Sequence, residues 1–257
     1  MEQVYFIGDF MFETIDFMLA LCLMFGAVLF TSVGHGGASA YIALMALFGL
    51  ETAVIRPTAL VLNILVTSFS SVRYLRAGLF DWRTLWPVLL GAVPLAFVGG
   101  SIHLPGQFYK PLVGAVLLFS AIRLFWPDMI ARLPELRVIP IWAGIVCGAL
   151  IGFLAGLTGT GGGIFLSPLL IFTGWSDIRK ASGISTVFIL CNSIAGLAGN
   201  FASVGAVGEE TWLFAVAVLS GAVVGTHLGI TAFAKQAVLK ALGVVLLVAS
   251  AKLFGLY

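Results

Sequence analysis

Ten apolar runs, almost free of charge, occupy most of this chain, at about 15–33, 38–49, 55–73, 84–102, 108–126, 140–157, 163–174, 182–200, 211–232 and 238–256. A soluble helix shows an apolar stripe and a soluble strand alternates, whereas these runs are apolar on every side. Such segments need a solvent as apolar as they are. A bilayer admits only helices or closed barrels, because every backbone group must be satisfied within the structure. The runs are continuous rather than alternating, which excludes a barrel and leaves helices. Only 9% of the 257 residues are charged, against about 25% in soluble domains. Each crossing needs roughly 20 apolar residues, so the length has room for about eight to ten. The net charge of +2 gives no reason to expect a nucleic-acid partner. Cys22, Cys147 and Cys191 each lie inside an apolar run, without metal spacing or a disulfide framework. The chain has acidic residues and no Lys or Arg before Arg56, the opposite of a signal peptide, so the first run is expected to be retained.

The runs repeat. At a shift of 125, Gly34 pairs with Gly159, Gly36 with Gly161, Gly37 with Gly162 and Ser68 with Ser193. At 130, Trp82 pairs with Trp212, Gly91 with Gly221 and Lys110 with Lys240; at 129, Gly114 pairs with Gly243. The expected fold is an all-α integral membrane protein of two inverted-topology repeats, each with about five hydrophobic segments, the second of them short and preceded by a Gly-rich break. The domains read as an N-terminal segment 1–14, a membrane repeat 15–126, a cytoplasmic linker 127–139 and a second membrane repeat 140–257. Lys and Arg concentrate on the cytoplasmic side of membrane proteins. With both termini outside and five crossings per repeat, Arg73, Arg76, Arg83, Arg132, Arg137, Arg179, Lys180 and Lys235 all face the cytoplasm, and Glu209 and Glu210 face out. If the short segments were re-entrant instead, giving four crossings per repeat, Arg179, Lys180 and Lys235 would fall outside.

The chemistry is expected at the two breaks, Gly34-His35-Gly36-Gly37 and Thr158-Gly159-Thr160-Gly161-Gly162-Gly163. Interrupted hydrophobic segments at matching positions of two repeats are the best sequence pointer to a transport site. A break frees backbone N–H groups, and the helix that follows presents a positive N-terminal end; together these suit an anion. Glycines that merely allow close helix packing are the competing explanation. Ser39, Thr158 and Thr160 add donors. His35 is the ionisable side chain within a break, suited to carry a proton or to meet an anion. Asn63, Thr67 and Ser68 are assigned to one side of the third run, with Phe188, Asn192 and Ser193 as their mates. Arg56 opens that run and is expected near the outer surface. No HExxH, nucleophile elbow or P-loop lysine occurs, so the chain does not read as an enzyme, and no cofactor or metal is expected.

The stretch Ala155-Gly156-Leu157-Thr158-Gly159-Thr160-Gly161-Gly162-Gly163 leading to Ser167-Pro168, with Arg73-Tyr74-Leu75-Arg76-Ala77-Gly78 before Asp81-Trp82-Arg83, resembles the TauE/SafE family of sulfite and organosulfonate exporters. The resemblance covers about residues 18–255. His35 departs from it, since a small residue or Phe is commoner there, and so does 199–208, which has no basic residue where the first repeat is Arg-rich. The resemblance implies a multi-pass transporter of the inner (cytoplasmic) membrane that handles small sulfur-containing or carboxylate-like anions.

The combined expectation is a secondary transporter, an exporter, of sulfite, sulfonates or related organic acids by alternating access. Its site is Gly34, His35, Gly36, Gly37, Ser39, Asn63, Thr67, Thr158, Gly159, Thr160, Gly161, Gly162, Gly163, Asn192 and Ser193. Its partners are the small anion and the bilayer, with coupling to protons and homo-oligomerisation both compatible with the sequence. A passive anion channel, or a membrane-embedded enzyme or assembly subunit of sulfur metabolism, are the rival readings. The orientation is checkable. With the three native cysteines replaced, a cysteine at Glu210 reacts with an impermeant maleimide on intact cells, and one at Arg179 only after permeabilisation; the reverse pattern would sink the orientation.

Overall fold

The computed structural model describes residues 4–7, 10–125, 136–201, 205, 207–231 and 236–255. A short antiparallel hairpin, β1 (Val4–Ile7) and β2 (Phe10–Glu13), precedes the helices. These are α1 (Thr14–Ser32), α2 (Ala38–Leu47), α3 (Thr52–Arg76), α4 (Trp82–Ser101), α5 (Gly106–Phe125), α6 (Ile141–Thr158), α7 (Gly163–Phe172), α8 (Ile178–Gly199), α9 (Thr211–Thr231) and α10 (Gln236–Leu253). Each matches one apolar run to within a few residues, so among the described residues the regular structure is helical apart from the hairpin. Most of the linker expected at 127–139 lies outside the described residues; its end is held where the Arg137 amide donates to Gly174 O at 2.7 Å.

Among the described residues, α1, α3, α4, α6, α8 and α9 are long and apolar enough to cross a membrane. Large side chains such as Leu21, Phe25, Leu90, Trp142, Leu150 and Val216 stay exposed on them, as lipid-facing surfaces do. The short helices differ. α2 and α7 have 10 residues each, or about 15 Å of helix, half of a roughly 30 Å hydrocarbon core. Neither spans such a core alone, and both are almost wholly buried in protein.

The largest helix contacts join the two halves of the chain: α4 lies along α6, and α1 along α9. Glycine makes both possible. In α6, Gly148, Gly152 and Gly156 sit against the carbonyls of Val88, Ala92 and Ala96 of α4, so closely that any Cβ would collide with backbone. In α9, Gly221, Gly225 and Gly229 sit in the same way against Met24, Val28 and Ser32 of α1. Lipid tails are as apolar as leucine, so helices associate in membranes through close van der Waals approach, which small residues permit. The halves also meet reciprocally at α5 and α10. A Cβ on Gly114 would lie 3.3 Å from the Phe254 ring, and one on Gly243 would lie 3.0 Å from the Phe125 ring. Two buried apolar clusters result, one holding α2 among α1, α3, α5, α9 and α10, the other holding α7 against α4 and α8.

This packing predicts a large penalty for added bulk on the glycine face. Gly152→Val should lower the melting temperature in detergent by more than any surface change, since overpacking costs about 1–3 kcal/mol or more. Gly205→Ala, where a Cβ meets nothing within 4 Å, should leave it unchanged. Equal melting temperatures for the two variants would refute the backbone contact.

Candidate functional site

The helix starts differ in what precedes them: α3 and α6 follow the exposed, extended Glu51 and Pro140 without a side-chain cap. At α4 and α8 the preceding Asp81 and Asp177 accept the amides of Arg83 and Lys180 at 3.0 and 2.9 Å. That is ordinary N-capping by a short acidic side chain. At α2 and α7 the cap residues are Gly37 and Gly162, both in the left-handed region (φ 113° and 81°), and neither helix has a side-chain cap. Gly34 and Gly159 occupy that region too, at φ 75° and 80°. L residues with a Cβ rarely adopt it, so glycine at these matched positions is what lets the chain stop, turn and restart as helix. The first amides of a helix have no partner within it. Here two such ends, carrying the positive pole of the helix, are buried together with every residue of Gly34–Gly37 and Thr158–Gly163.

Tertiary packing brings the breaks together on α3 and α8. Gly36 lies on Asn63 and Thr67, tightly enough that a Cβ would strike the Asn63 carboxamide. On its other side the same carboxamide meets Gly161, where a Cβ would lie 2.6 Å from Asn63 Nδ2 and 3.1 Å from Ser193 Oγ. Asn63 Nδ2 donates to Ser193 Oγ at 2.8 Å, joining α3 to α8. The His35 ring, 6% exposed, comes within 3.7 Å of a Cβ placed on Gly163, and its Nδ1 lies 3.0 Å from Val33 O. Gly36, His35, Asn63, Gly161, Gly163 and Ser193 therefore share one buried locus.

On the helices that form this locus, some buried polar atoms have no protein partner. Ser39 Oγ in the first turn of α2, Asn63 Oδ1, and both the Oδ1 and Nδ2 of Asn192 are buried without a hydrogen-bond partner. An unmet buried polar group costs about 1–3 kcal/mol, and a membrane interior offers no bulk water to meet it. Asn63 Oδ1 is the one of these atoms that lies between the two breaks, against Gly36.

The other expected site residues have partners within the protein. Thr67 Oγ1 donates to Asn63 O at 2.6 Å, so its hydroxyl is turned back onto its own helix. Thr158 Oγ1 donates to Leu154 O at 2.7 Å and lies 2.9 Å from Thr160 Oγ1. Gly34 packs on Ser182 at the start of α8, and its carbonyl accepts from Thr186 Oγ1 at 2.9 Å. Gly159 packs on Arg56 at the corresponding place on α3. Two sequence assignments are corrected. Ser68 is exposed, because five residues turn a helix by 500°, placing it about 140° from Asn63. Arg56 is not at a surface but 6% exposed, with its guanidinium on backbone carbonyls. The supports that sequence reasoning missed are Tyr41, whose hydroxyl donates to Gly36 O at 3.1 Å, and Tyr109, whose hydroxyl donates to Thr158 O at 3.1 Å. Both are tyrosines inside apolar runs, where a hydroxyl needs a partner, and that was the available signal.

The sequence pattern described as "Sulfite exporter TauE/SafE" matches residues 19–253. The chain belongs to the TauE/SafE family. This TauE/SafE protein is 35% identical over 240 residues to the "Probable membrane transporter protein y4hK" of Sinorhizobium fredii, covering 91% of this chain and 96% of the relative. A "Probable membrane transporter protein" of Methanocaldococcus jannaschii is 29% identical over 145 residues, 54% of this chain and 53% of the relative. Another, YtnM of Bacillus subtilis, is 24% identical over 189 residues, 70% of this chain and 62% of the relative. No solved structure matches the chain. The matched span contains both buried breaks, Gly34–Gly37 and Thr158–Gly163.

Unmet polar groups give the site a signature in stability. Asn192→Leu removes two unpartnered atoms and should hold or raise the melting temperature of the ligand-free protein, while weakening ligand binding. A clear fall in melting temperature would show that Asn192 serves the fold and not a ligand.

Proposed function

We propose that this TauE/SafE protein is a secondary transporter, an exporter, of small anions such as sulfite, sulfonates or related organic acids, in the cytoplasmic membrane. The observation that carries the proposal is the pair of buried, uncapped helix N-termini meeting around unpartnered polar side chains. An oxyanion satisfies such a site well, since each oxygen accepts several donors and its charge is favoured at the positive helix ends. The family's sulfite-exporter description and the membrane-transporter names of the relatives agree with it. No nucleotide-binding loop is present in the sequence, so transport would run on a gradient or on a partner. His35, at the junction of the breaks, is the group assigned to proton coupling.

The mechanism proposed is alternating access around this midplane site. The distribution of Lys and Arg supports an inverted relation between the halves if α2 and α7, each extended by the break before it, complete the fifth crossing of their half; the reciprocal contact of Gly114 with Phe254 and Gly243 with Phe125 fits a two-fold relation between the halves. The glycine faces argue that the halves do not rock as separate bodies. α1 is held to α9 and α4 to α6 at backbone distance, and packed interfaces of that kind resist continuous deformation. The moving units are then the pairs α1–α9 and α4–α6, hinged at the breaks.

Purified protein in liposomes loaded with sulfite tests the whole reading. Efflux should saturate with sulfite concentration and respond to an imposed proton gradient, and His35→Ala should remove the response to the gradient. Flux that neither saturates nor responds would leave a passive channel as the better description.

A further inference from the structure

Arg56 is the one Lys or Arg buried among the described residues. Its Nη1 donates to Ile102 O at 3.1 Å, and its Nη2 to Gly99 O, Gly100 O and Gly156 O at 3.0, 2.7 and 2.7 Å. Gly99, Gly100 and Ile102 close α4, and Gly156 lies in the last turn of α6. These are carbonyls that the ends of a helix leave unpaired. Each end carries the negative pole of its helix, about half an electron charge. One guanidinium thus covers two negative helix ends. Among the described residues no carboxylate lies in ion-pair range of it; the ion pair present joins Lys180 to Asp177.

The position matters because α6 leads straight into the second break. The Arg56 side chain lies across Gly159, where a Cβ would sit 3.0 Å from its Cγ. Asn63 is seven residues further along α3, on the same face and about 10 Å away, and it touches Gly161. The second break therefore runs along one face of α3 with Arg56 at one end and Asn63 at the other. Arg56 Nε is buried and has no protein partner. An anion at this break faces the positive end of α7, but it also stands close to the negative end of α6. The first break has no counterpart to the arginine: at a shift of 125 the mate of Arg56 is Ala181.

We propose that Arg56 determines the anion affinity of the second break, by neutralising the carbonyl ends of α4 and α6 so that the positive end of α7 acts on the anion unopposed. The two breaks are then unequal halves of one site, and the second is the stronger anion holder. This rests on the reading of the breaks as an anion site. It makes Arg56 a positioning charge rather than a group that must touch the substrate.

The probe is sulfite in proteoliposomes, comparing wild type, Arg56→Gln and Arg56→Lys. An ammonium can cap a helix end in this protein, since Lys252 Nζ donates to Leu47 O at 2.8 Å. Arg56→Gln should raise the KM for sulfite by about tenfold or more, while Arg56→Lys should stay within about threefold of wild type. An unchanged KM in Arg56→Gln with a reduced maximal rate or melting temperature would make Arg56 a structural pin and overturn the proposal. So would Arg56→Lys as impaired in KM as Arg56→Gln. If Arg56→Gln does not fold, Arg56→Lys decides alone: KM near wild type supports the proposal, and a rise of about tenfold overturns it. Sulfite flux at the wild-type level in Asn63→Leu and Asn192→Leu would instead remove the site itself, a different failure from that of the arginine.

Discussion

Backbone amides that cannot reach water must find partners inside the protein, and this requirement shapes everything near the centre of the molecule. Ten-residue helices α2 and α7 start in buried surroundings from glycines with no capping side chain. Asp81 and Asp177 cap α4 and α8, while α3 and α6 start without a side-chain cap from the exposed Glu51 and Pro140; what sets α2 and α7 apart is that their uncapped starts are buried glycines in the left-handed region. A carboxylate at either break would satisfy those amides and also fill the place of an incoming anion. In the function proposed above, glycine leaves those amides to the anion.

The cost of that arrangement is met by unusually close packing around it. Glycine faces on α6 and α9 bring α4 and α1 to backbone contact, crossing between the halves of the chain. Such contact gains dispersion energy where lipid gives no hydrophobic drive. Hydrogen bonds then fix the breaks themselves: Tyr41 and Tyr109 donate to Gly36 and Thr158, Thr186 to Gly34, and Asn63 to Ser193. The breaks thus make left-handed turns that glycine permits and are held from several helices, which is how buried polar groups can persist among apolar segments.

Much of the candidate site was legible as a pattern, and much of its chemistry was not. The breaks, Ser39, Asn63 and Asn192 stood out because polar or glycine residues in apolar runs need a reason to be there. Which of them would be left unmet could not be read. Thr67 and Asn63 look equivalent in the sequence, four residues apart, yet Thr67 closes its hydroxyl on its own helix while Asn63 reaches across to α8. A hydroxyl one bond from Cβ can reach the carbonyl of the preceding turn, but a carboxamide extends past it. Arg56 misled for a similar reason. Its place at the start of an apolar run suggests a surface, and only α4 and α6, distant in sequence, supply the carbonyls that let it be buried.

The sequence by itself determined the membrane solvent, the ten helices to within a few residues, the paired breaks and the family. These follow from local composition and spacing, since in lipid the backbone has few choices. Tertiary structure decided what lies against what. It placed Gly36 and Gly161 on either side of one asparagine, put the guanidinium of Arg56 on two helix ends, and tied each half to the other through glycine faces. Those outcomes depend on contacts between residues far apart in the chain, whose energies are set by ångström-scale fit that no local pattern encodes.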